Sequence, residues 1–509
     1  MKEPIVKQHF HYSSRLTGIA DFLNSWRPIV WATLYVGIAC SIQFFIINAP
    51  VDLDSAYHAA VGRLIRQYGI LHNFPWTPFS WLSDHYADKE LLFHLLFVPF
   101  AGMDWILAVK IVGTLIGSAL LFTMYTVLRK EGVRFAGLWA IFPLVTADVF
   151  LWRFALVRPH LISIGLALVV LWAAVNNRRM VVMIFSAIYP WAYVAWLLPV
   201  VLAAISEAAG MLSGRKWRWG IITAALIGTI LGIILHPNAM NLLRFTWIQI
   251  VDVLINTAWA SRKGFELGPE FEPFTIAQWA RWLIPSVIMA LAAIVLAWRN
   301  RRNDITSLAF ALSALIFFAL TIKTARFAEY FIPFTIIAFS LAARSISWKF
   351  LPAVVFGATL LYTCVPLYET IHGLGSYENR LPPALVSKLQ KLVPPGSQIF
   401  TTEWGYTGLL MMALPDRRFI VALDPTFFYM KDPALYRLWY NLPREAPSDA
   451  AELIRHYFGA RFVLSFVDGR WDEFYNKLAS DPKVRMPLNS DYWLLFDLGE
   501  PHSLPPGSK

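Results

Sequence analysis

Long apolar stretches separated by short polar loops dominate the chain from residue 28 to residue 366. A helix needs about 20 mostly apolar residues to cross a bilayer, and the pattern predicts eleven such spans. Their approximate limits are 28–48, 104–128, 135–152, 160–176, 180–190, 192–206, 218–235, 282–298, 305–321, 328–343 and 350–366. The pair at 180–206 could be one tilted helix, but Pro190 and Pro199 favour a break. The pattern therefore predicts a polytopic α-helical membrane protein.

Basic residues concentrate in alternate loops between these spans, for example at Arg178-Arg179. The positive-inside rule assigns such loops to the cytoplasm, which puts the N-terminus inside as well. The opposite side then receives the loops 50–90, 148–160, 236–281 and 323–329, and everything after about Tyr368. The first apolar run has no clear small-residue cleavage site, so we expect it to remain as a membrane anchor.

The composition agrees with this topology and excludes other classes. The chain has 509 residues, 57% of them hydrophobic, which is more apolar than an ordinary soluble domain. Its net charge of +11 does not indicate nucleic-acid binding, because the Lys and Arg residues lie in inter-helix loops. Cys40 and Cys364 lie in separate apolar runs, so neither a disulfide nor a cysteine metal site is expected.

The pattern changes from about Glu378, where charged residues and prolines increase and the apolar runs shorten to strand length. Strands are predicted at 398–402, 418–423, 461–466 and 492–496, and helices near 383–393, 405–413, 448–458 and 471–480. Alternating strands and helices indicate a small α/β domain. We therefore predict a multi-spanning membrane domain over 1–376, with a catalytic outside loop at 50–90, and a soluble extracytoplasmic α/β domain over 377–509.

The first candidate site follows the first span directly. Asp54 and His58 are spaced i, i+4, so a helix over 54–67, ending at Gly69, presents both on one face. Asp52 falls off that face. Asp54 could act as a base or metal ligand supported by His58; the alternative is an acid that stabilises a helix N-terminus.

A second polar cluster occupies the end of the same loop. Its members are acids and histidines that could hold a divalent cation, or a pyrophosphate through the cation: Asp84, His85, Asp88, Glu90 and His94. The favoured alternative is a solvated loop that enters an interfacial helix. The spacing does not match HExxH, which argues against a zinc hydrolase.

A third cluster lies where the third and fourth predicted spans meet, at Asp148, Arg153, Arg158 and His160. Arginines at the mouth of a helix bundle can bind phosphate through two nitrogens, and Arg326 could reach the same phosphate. For the residues between Asp148 and His160 the alternative is anchoring at the membrane interface. For Arg326 the alternative is a local ion pair with Glu329. The segment 259–272 is predicted to be an amphipathic interfacial stretch.

With these residues in place, the chain resembles the glycosyltransferase-C (GT-C) superfamily, in particular bacterial multi-spanning glycosyltransferase-like proteins. The resemblance rests on short motifs: Asp54-x-x-x-His58-x-x-x-Gly62, Arg158-Pro159-His160, Trp404-Gly405-Tyr406-Thr407-Gly408 and Leu423-Asp424-Pro425. It implies transfer of a sugar from a polyprenyl-phosphate donor outside the cytoplasmic (inner) membrane, with an acid of the first outside loop at the centre. The chain departs from the family pattern at Ala56-Tyr57, where an aromatic pair is common.

The leading hypothesis is therefore an inverting glycosyltransferase acting on an extracytoplasmic glycan, lipid or protein. Asp54 is the predicted catalytic carboxylate and His58 orients the site; the predicted substrate-binding residues are Asp52, Asp84, His85, Asp148, Arg158, His160 and Arg326. A requirement for Mg²⁺ or Mn²⁺ is left open, because arginines alone can stabilise a single phosphate. Two alternatives are a transporter or flippase of a lipid-linked substrate and a non-catalytic assembly protein with a degenerate site.

Overall fold

The structure is a computed structural model that describes residues 27–249, 251, 269–346, 350–422, 424–490 and 492–500. Lys2, Lys7 and Arg15, which precede the first span, lie outside these residues, as does most of the predicted amphipathic segment 259–272. Packing divides the chain into two compact units. The first comprises Met1–Asn48, Lys110–Leu235 and Leu267–Tyr377, and the second comprises Ala49–Val109, His236–Glu266 and Glu378–Lys509. The loop 50–90 thus packs with the C-terminal segment, while the predicted domains 1–376 and 377–509 stay predictions.

Apolar helices account for most of the chain before residue 376. They are Pro28–Ser41, Trp105–Lys130, Ala136–Ile141, Pro143–Thr146, Asp148–Ala155, His160–Val175, Arg179–Ala192, Leu198–Leu212, Trp219–Ile234, Ala239–Thr246, Ile276–Trp282, Ile284–Arg299, Ile305–Lys323, Ala328–Ala342 and Leu351–Gly375. A π-helical turn, Ile42–Ile46, continues the first of them. Within the described residues, five helices are long and apolar enough to cross a membrane, or up to eight if each bent pair counts as one span. The protein is a polytopic membrane protein, and the total of eleven spans stays a prediction.

Two predicted spans differ in detail from the helices observed. The stretch 135–152 is divided among three short helices, because Pro143 begins a new one and Ala147 adopts an extended conformation. The pair at 180–206 forms two helices, Arg179–Ala192 and Leu198–Leu212, as the proline argument favoured. The break lies at 193–197, between Pro190 and Pro199.

Small residues allow close helix packing in the first unit. A Cβ atom on Gly228 or Gly232 would lie about 2 Å from the carbonyl oxygen of Met183 or Ala187, respectively, on the facing helix. The Gly-x-x-x-Gly spacing therefore brings Trp219–Ile234 into backbone contact with Arg179–Ala192, as is common between membrane helices.

The C-terminal segment contains a five-stranded sheet. The strands are β1 (Gln398–Phe400), β2 (Arg418–Phe419), β3 (Phe462–Phe466), β4 (Arg485–Asn489) and β5 (Trp493–Asp497), in the order β2-β1-β3-β5-β4. β1 is parallel to β2 and β3, whereas β5 is antiparallel to β3 and β4. The helices are Pro383–Leu392, Thr407–Ala413, Thr426–Lys431, Pro433–Glu445, Ala450–Phe458 and Asp472–Ser480.

Each of the four predicted strands overlaps an observed strand, but three elements have no predicted counterpart. β4 was missed because only Leu488 in it is buried, so its sequence shows no apolar alternation. The helices Thr426–Lys431 and Pro433–Glu445 were also missed. The second of them is started by Asp432, whose carboxylate accepts hydrogen bonds from the backbone N–H groups of Ala434 and Leu435.

Candidate functional site

The helix Asp54–Tyr68 carries the first predicted site, and its N-terminus is capped by Asp52. The Oδ1 atom of Asp52 accepts a hydrogen bond from the backbone N–H of Ser55 at 3.2 Å and a second bond from its hydroxyl. Asp52 therefore caps this helix, so capping does not explain the presence of an acid at position 54. Asp54 is half-buried in the first turn, where the helix dipole favours a carboxylate.

Two glycines allow this helix to be packed tightly inside the second unit. A Cβ atom on Gly62 would lie 2.5 Å from the Cβ of Phe97 and 3.3 Å from the carbonyl oxygen of His94. A Cβ atom on Gly408, in the helix Thr407–Ala413, would lie 2.8 Å from the Cβ of Tyr57. Both glycines belong to the motifs that carry the family resemblance, and the contacts give a steric reason for each.

His58 belongs to a buried cluster with three residues from the end of the loop. Its Nδ1 lies 2.8 Å from Nε2 of His94 and 3.8 Å from Oε2 of Glu90. The Nδ1 of His94 lies 2.8 Å from both carboxylate oxygens of Asp88. All four side chains are buried. The structure therefore joins His58 to three of the five residues of the predicted second cluster, and His58, Glu90 and His94 are close enough to hold a metal ion.

Asp84 and His85 have other partners. Asp84 is exposed and forms an ion pair of 2.7 Å with Lys431. The hydrogen bonds from Lys431 and Ser83 hold the pKa of Asp84 below its usual value. His85 stacks on the Trp81 ring with the ring centroids 5.0 Å apart. The sequence placed both residues with Asp88, Glu90 and His94, but the structure gives them these separate contacts instead.

Three arginines surround one carboxylate in the first unit. Nη1 of Arg158 lies 3.4 Å from Oε1 of Glu270, and Nη1 of Arg326 lies 3.5 Å from the same oxygen. Nη1 of Arg153 lies 3.7 Å from the other oxygen, Oε2. Burial alone would raise the pKa of Glu270, but the arginines outweigh it and lower the pKa to about 2. The structure thus brings Arg158 and Arg326 to a single anion position.

Neighbouring contacts hold these arginines in place. Arg153 donates two hydrogen bonds to Oε2 of Glu329, at 3.0 and 2.5 Å, so that Glu329 binds the arginine 176 residues away. Arg326 donates to the Tyr193 hydroxyl at 3.1 Å. The backbone N–H of Ala325, next to Arg326, donates to the carbonyl of Glu272 at 2.9 Å, which ties the Glu270 segment to the arginine.

The other two predicted residues of this region take different positions. Asp148 is buried at the start of Asp148–Ala155 and accepts hydrogen bonds from its neighbour's N–H at 2.9 Å and from the Thr370 hydroxyl at 3.3 Å. His160 donates from Nε2 to the Arg153 carbonyl at 2.9 Å. Its Nδ1 and the Oε1 of Glu329 have no hydrogen-bond partner within the described part of the chain. His160 therefore adjoins the arginines, whereas the Asp148 contacts are with its own helix start and Thr370.

Sequence reasoning missed Glu270 as the partner of the arginines and Glu329 as the partner of Arg153. Glu270 lies 112 residues from Arg158 and 56 from Arg326, so no local pattern links them. The only signal was an acid in a loop predicted to lie on the same side of the membrane as both arginines.

No protein-family model and no curated protein matches the sequence. Solved structures do match. The crystal structure of ArnT from Cupriavidus metallidurans in the apo state has a TM-score of 0.55 at 12% identity, covering 92% of this chain and 98% of that one. The cryo-EM structure of the arabinofuranosyltransferase AftD from Mycobacteria has a TM-score of 0.52 at 14% identity, covering 93% of this chain and 40% of that one. A mutant form of AftD has a TM-score of 0.53 at 15% identity, covering 93% of this chain and 41% of that one.

These similarities define the class of fold. ArnT is a GT-C glycosyltransferase, and the chain has a GT-C-like fold, as the sequence motifs led us to expect. At this level of identity the similarity shows the fold alone. The donor, the acceptor and the roles of individual residues are therefore matters for proposal.

Proposed function

We propose that the protein is a membrane glycosyltransferase that moves a sugar from a polyprenyl-phosphate donor to an extracytoplasmic acceptor. The observation that carries the proposal is the convergence of Arg158 and Arg326 on one oxygen of Glu270, in a chain with a GT-C-like fold. A carboxylate oxygen held by two guanidinium groups marks a position that a phosphate oxygen can take.

The arginines would stabilise the leaving group. As the bond between the sugar and the phosphate oxygen breaks, its electron pair stays on the polyprenyl phosphate, and the negative charge on that group increases. Preorganised cations at this position lower the barrier, because they need no rearrangement when the charge develops. The unpartnered Nδ1 of His160 and Oε1 of Glu329 are acceptors that donor hydroxyl groups could satisfy.

The acceptor needs a base, and Asp54 is the proposed one. Its carboxylate would take the proton of the acceptor hydroxyl as that oxygen attacks the anomeric carbon. His58 lies one helical turn further on, and its buried contacts with His94 and Glu90 fix that part of the helix. Asp52 has a secondary role because its carboxylate is engaged with Ser55.

The proposed setting is the cytoplasmic membrane of a cell envelope. The N-terminus faces the cytoplasm, and the C-terminal segment lies outside with the loop 50–90. Asp84, His85 and Asp148 stay predicted substrate contacts, although each has a protein partner in the structure.

The decisive experiment is turnover of a polyprenyl-phosphate sugar by the purified full-length protein in liposomes. Asp54→Asn should reduce transfer by about 10²–10⁴-fold, the usual contribution of a general base. Asp52→Asn is the matched control and should retain most of the rate, because the cap is not the base. Wild-type protein that moves a fluorescent lipid-linked sugar between leaflets without transferring it would be a flippase. Protein that does neither would favour the assembly role and refute the proposal.

The donor and acceptor can be found in cells. Mass spectrometry of lipid-linked sugars and envelope glycans, with and without the gene, should show the unused donor accumulating and one glycan losing a residue. The Asp54→Asn variant should reproduce both changes.

A further inference from the structure

We infer that His58, Glu90 and His94 form a binding site for a transition-metal ion of the Zn²⁺ class, with Asp88 positioning His94. The inference does not depend on the proposed transferase activity, because it rests only on the geometry of these four buried side chains.

The distances between the candidate ligand atoms suit one metal ion. Bonds of about 2.0–2.1 Å in a tetrahedral site put neighbouring ligand atoms about 3.3 Å apart. The Nδ1 of His58 lies 2.8 Å from Nε2 of His94 and 3.8 Å from Oε2 of Glu90, on either side of that value. All the ligand atoms lie within 4.8 Å of one another. Side-chain adjustments that bring all three pairs of ligand atoms to this spacing would therefore complete three corners of a tetrahedron.

Asp88 supplies the support that metal-bound histidines usually have. Both of its oxygens lie 2.8 Å from Nδ1 of His94. This nitrogen therefore carries the proton and donates a hydrogen bond to the carboxylate. The proton is then absent from Nε2, whose lone pair faces His58. Asp88 is itself fixed by the backbone N–H of Glu90, which donates to Oδ1 at 3.1 Å. A carboxylate behind a ligating imidazole is the recurrent arrangement in metal sites.

The surroundings keep this geometry in place. The ring of Phe93 packs edge-on against His58 at 4.8 Å between centroids, and Tyr57 packs against His94 at 6.0 Å. Gly62 lets the backbone at His94 approach the helix that carries His58. The two histidines therefore meet in a buried pocket, with their rings held by aromatic neighbours, before any ion binds.

The ligand set selects the class of ion. Two imidazoles and one carboxylate suit Zn²⁺ and its first-row neighbours, whereas Mg²⁺ prefers oxygen ligands and retains water. Of the two ions considered from the sequence, Mg²⁺ therefore fits poorly and Mn²⁺ fits better. Because His58 and His94 are 36 residues apart, the ion would also fasten the helix Asp54–Tyr68 to the segment that follows the loop.

The competing explanation is a metal-free chain of hydrogen bonds, in which Nδ1–H of His58 donates to Nε2 of His94. Metal analysis of the purified full-length protein separates the two. We expect about one equivalent of Zn²⁺ or Mn²⁺ per chain by mass spectrometry, loss of it on treatment with a strong chelator, and a higher Tm when Zn²⁺ is restored.

Variants test the assignment of ligands. His94→Gln should lose the bound metal and the Zn²⁺-dependent rise in Tm. Asp88→Asn should keep the site but weaken the affinity for Zn²⁺ by about 10–100-fold, while the Tm of its metal-free form stays near that of the metal-free wild type. His456→Ala, an exposed histidine of the second unit, is the matched control and should change neither measurement.

The inference is overturned if chelator-treated wild-type protein takes up no Zn²⁺ or Mn²⁺ and its Tm does not respond to them. It is equally overturned if Mg²⁺ alone raises the Tm, or if His94→Gln binds Zn²⁺ like the wild type. If His94→Gln does not fold, the metal content of the wild type and the Asp88→Asn titration still decide.

Discussion

The Glu270→Gln variant should bind the donor phosphate more tightly than the wild type. If Glu270 occupies the phosphate position, the donor has to displace its carboxylate from Arg158 and Arg326 before it can bind. Glutamine keeps the size and shape of the side chain but removes the competing charge. Removal of the acid that contacts the phosphate-binding arginines would thus increase affinity rather than decrease it.

The magnitude follows from the electrostatics of the site. The pKa of Glu270 falls from its usual 4.5 to about 2, which corresponds to about 3 kcal/mol in favour of the ionised carboxylate at about 1.4 kcal/mol per pKa unit. A quarter of the side chain is exposed (25%), so solvent screening reduces what the donor gains. We expect affinity to rise by about 10- to 100-fold.

The assay is a titration of purified protein in detergent with polyprenyl phosphate, followed by the shift in Tm or by competition with inorganic pyrophosphate. Glu272→Gln is the matched control: it is exposed, two residues away, and contributes only a backbone carbonyl to the contacts described. Unchanged or weaker binding by a folded Glu270→Gln protein would refute the idea that the carboxylate marks the phosphate position.

The same pKa predicts a pH dependence of stability. A depressed carboxyl pKa stabilises the folded protein above the unfolded value, near pH 4.5, and this contribution is lost as the pH falls towards 2. The Tm of ligand-free wild type should therefore exceed that of Glu270→Gln at pH 6, and the difference should shrink as the pH falls below 4.5. A constant difference would mean that the charge of Glu270 does not stabilise the fold.

Three further predictions concern packing, the leaving group and topology. Gly408→Ala should destabilise the protein by about 1–3 kcal/mol, because the added Cβ would meet Tyr57. Gly405→Ala is the control: its added Cβ would meet no atom within 4 Å, so the Tm should not change. Arg158→Lys should restore only part of the transfer rate lost in Arg158→Ala, because Lys lacks the planar fork; full rescue would contradict two-nitrogen binding. After removal of Cys40 and Cys364, single cysteines placed beyond residue 378 should react with an impermeant reagent in intact cells, and reaction only after lysis would reverse the topology.

Local signals predicted local structure well. The i, i+4 pair and Gly69 predicted a helix over 54–67, and the structure has Asp54–Tyr68 ending at Gly69, whose φ of 79° suits glycine. The GT-C-like fold was also predicted from short motifs. Two of those motif positions, Gly62 and Gly408, turn out to be sites of close backbone approach.

Pairings across long stretches of chain could not be predicted. The sequence left open whether Arg326 pairs with Glu329, three residues away, or reaches a phosphate; in the structure Glu329 accepts hydrogen bonds from Arg153, 176 residues earlier. Residues far apart in sequence carry no periodic signal of their contact, so only the fold brings them together. The same holds for His58 and the acids of the second cluster, where residue type indicated the chemistry but not which residues meet.

The discontinuity of the second unit imposes an order on its assembly during synthesis. The cluster around His58 is complete once residue 94 has emerged, but Arg63 meets Met412 only 349 residues later. At about 5–20 residues per second, the surface of Asp54–Tyr68 that receives Thr407–Ala413 waits roughly 20–70 s for its partner. Any truncation before residue 407 leaves that surface without its partner for good, so premature stop variants should be recognised by membrane quality control rather than accumulate as partial enzymes.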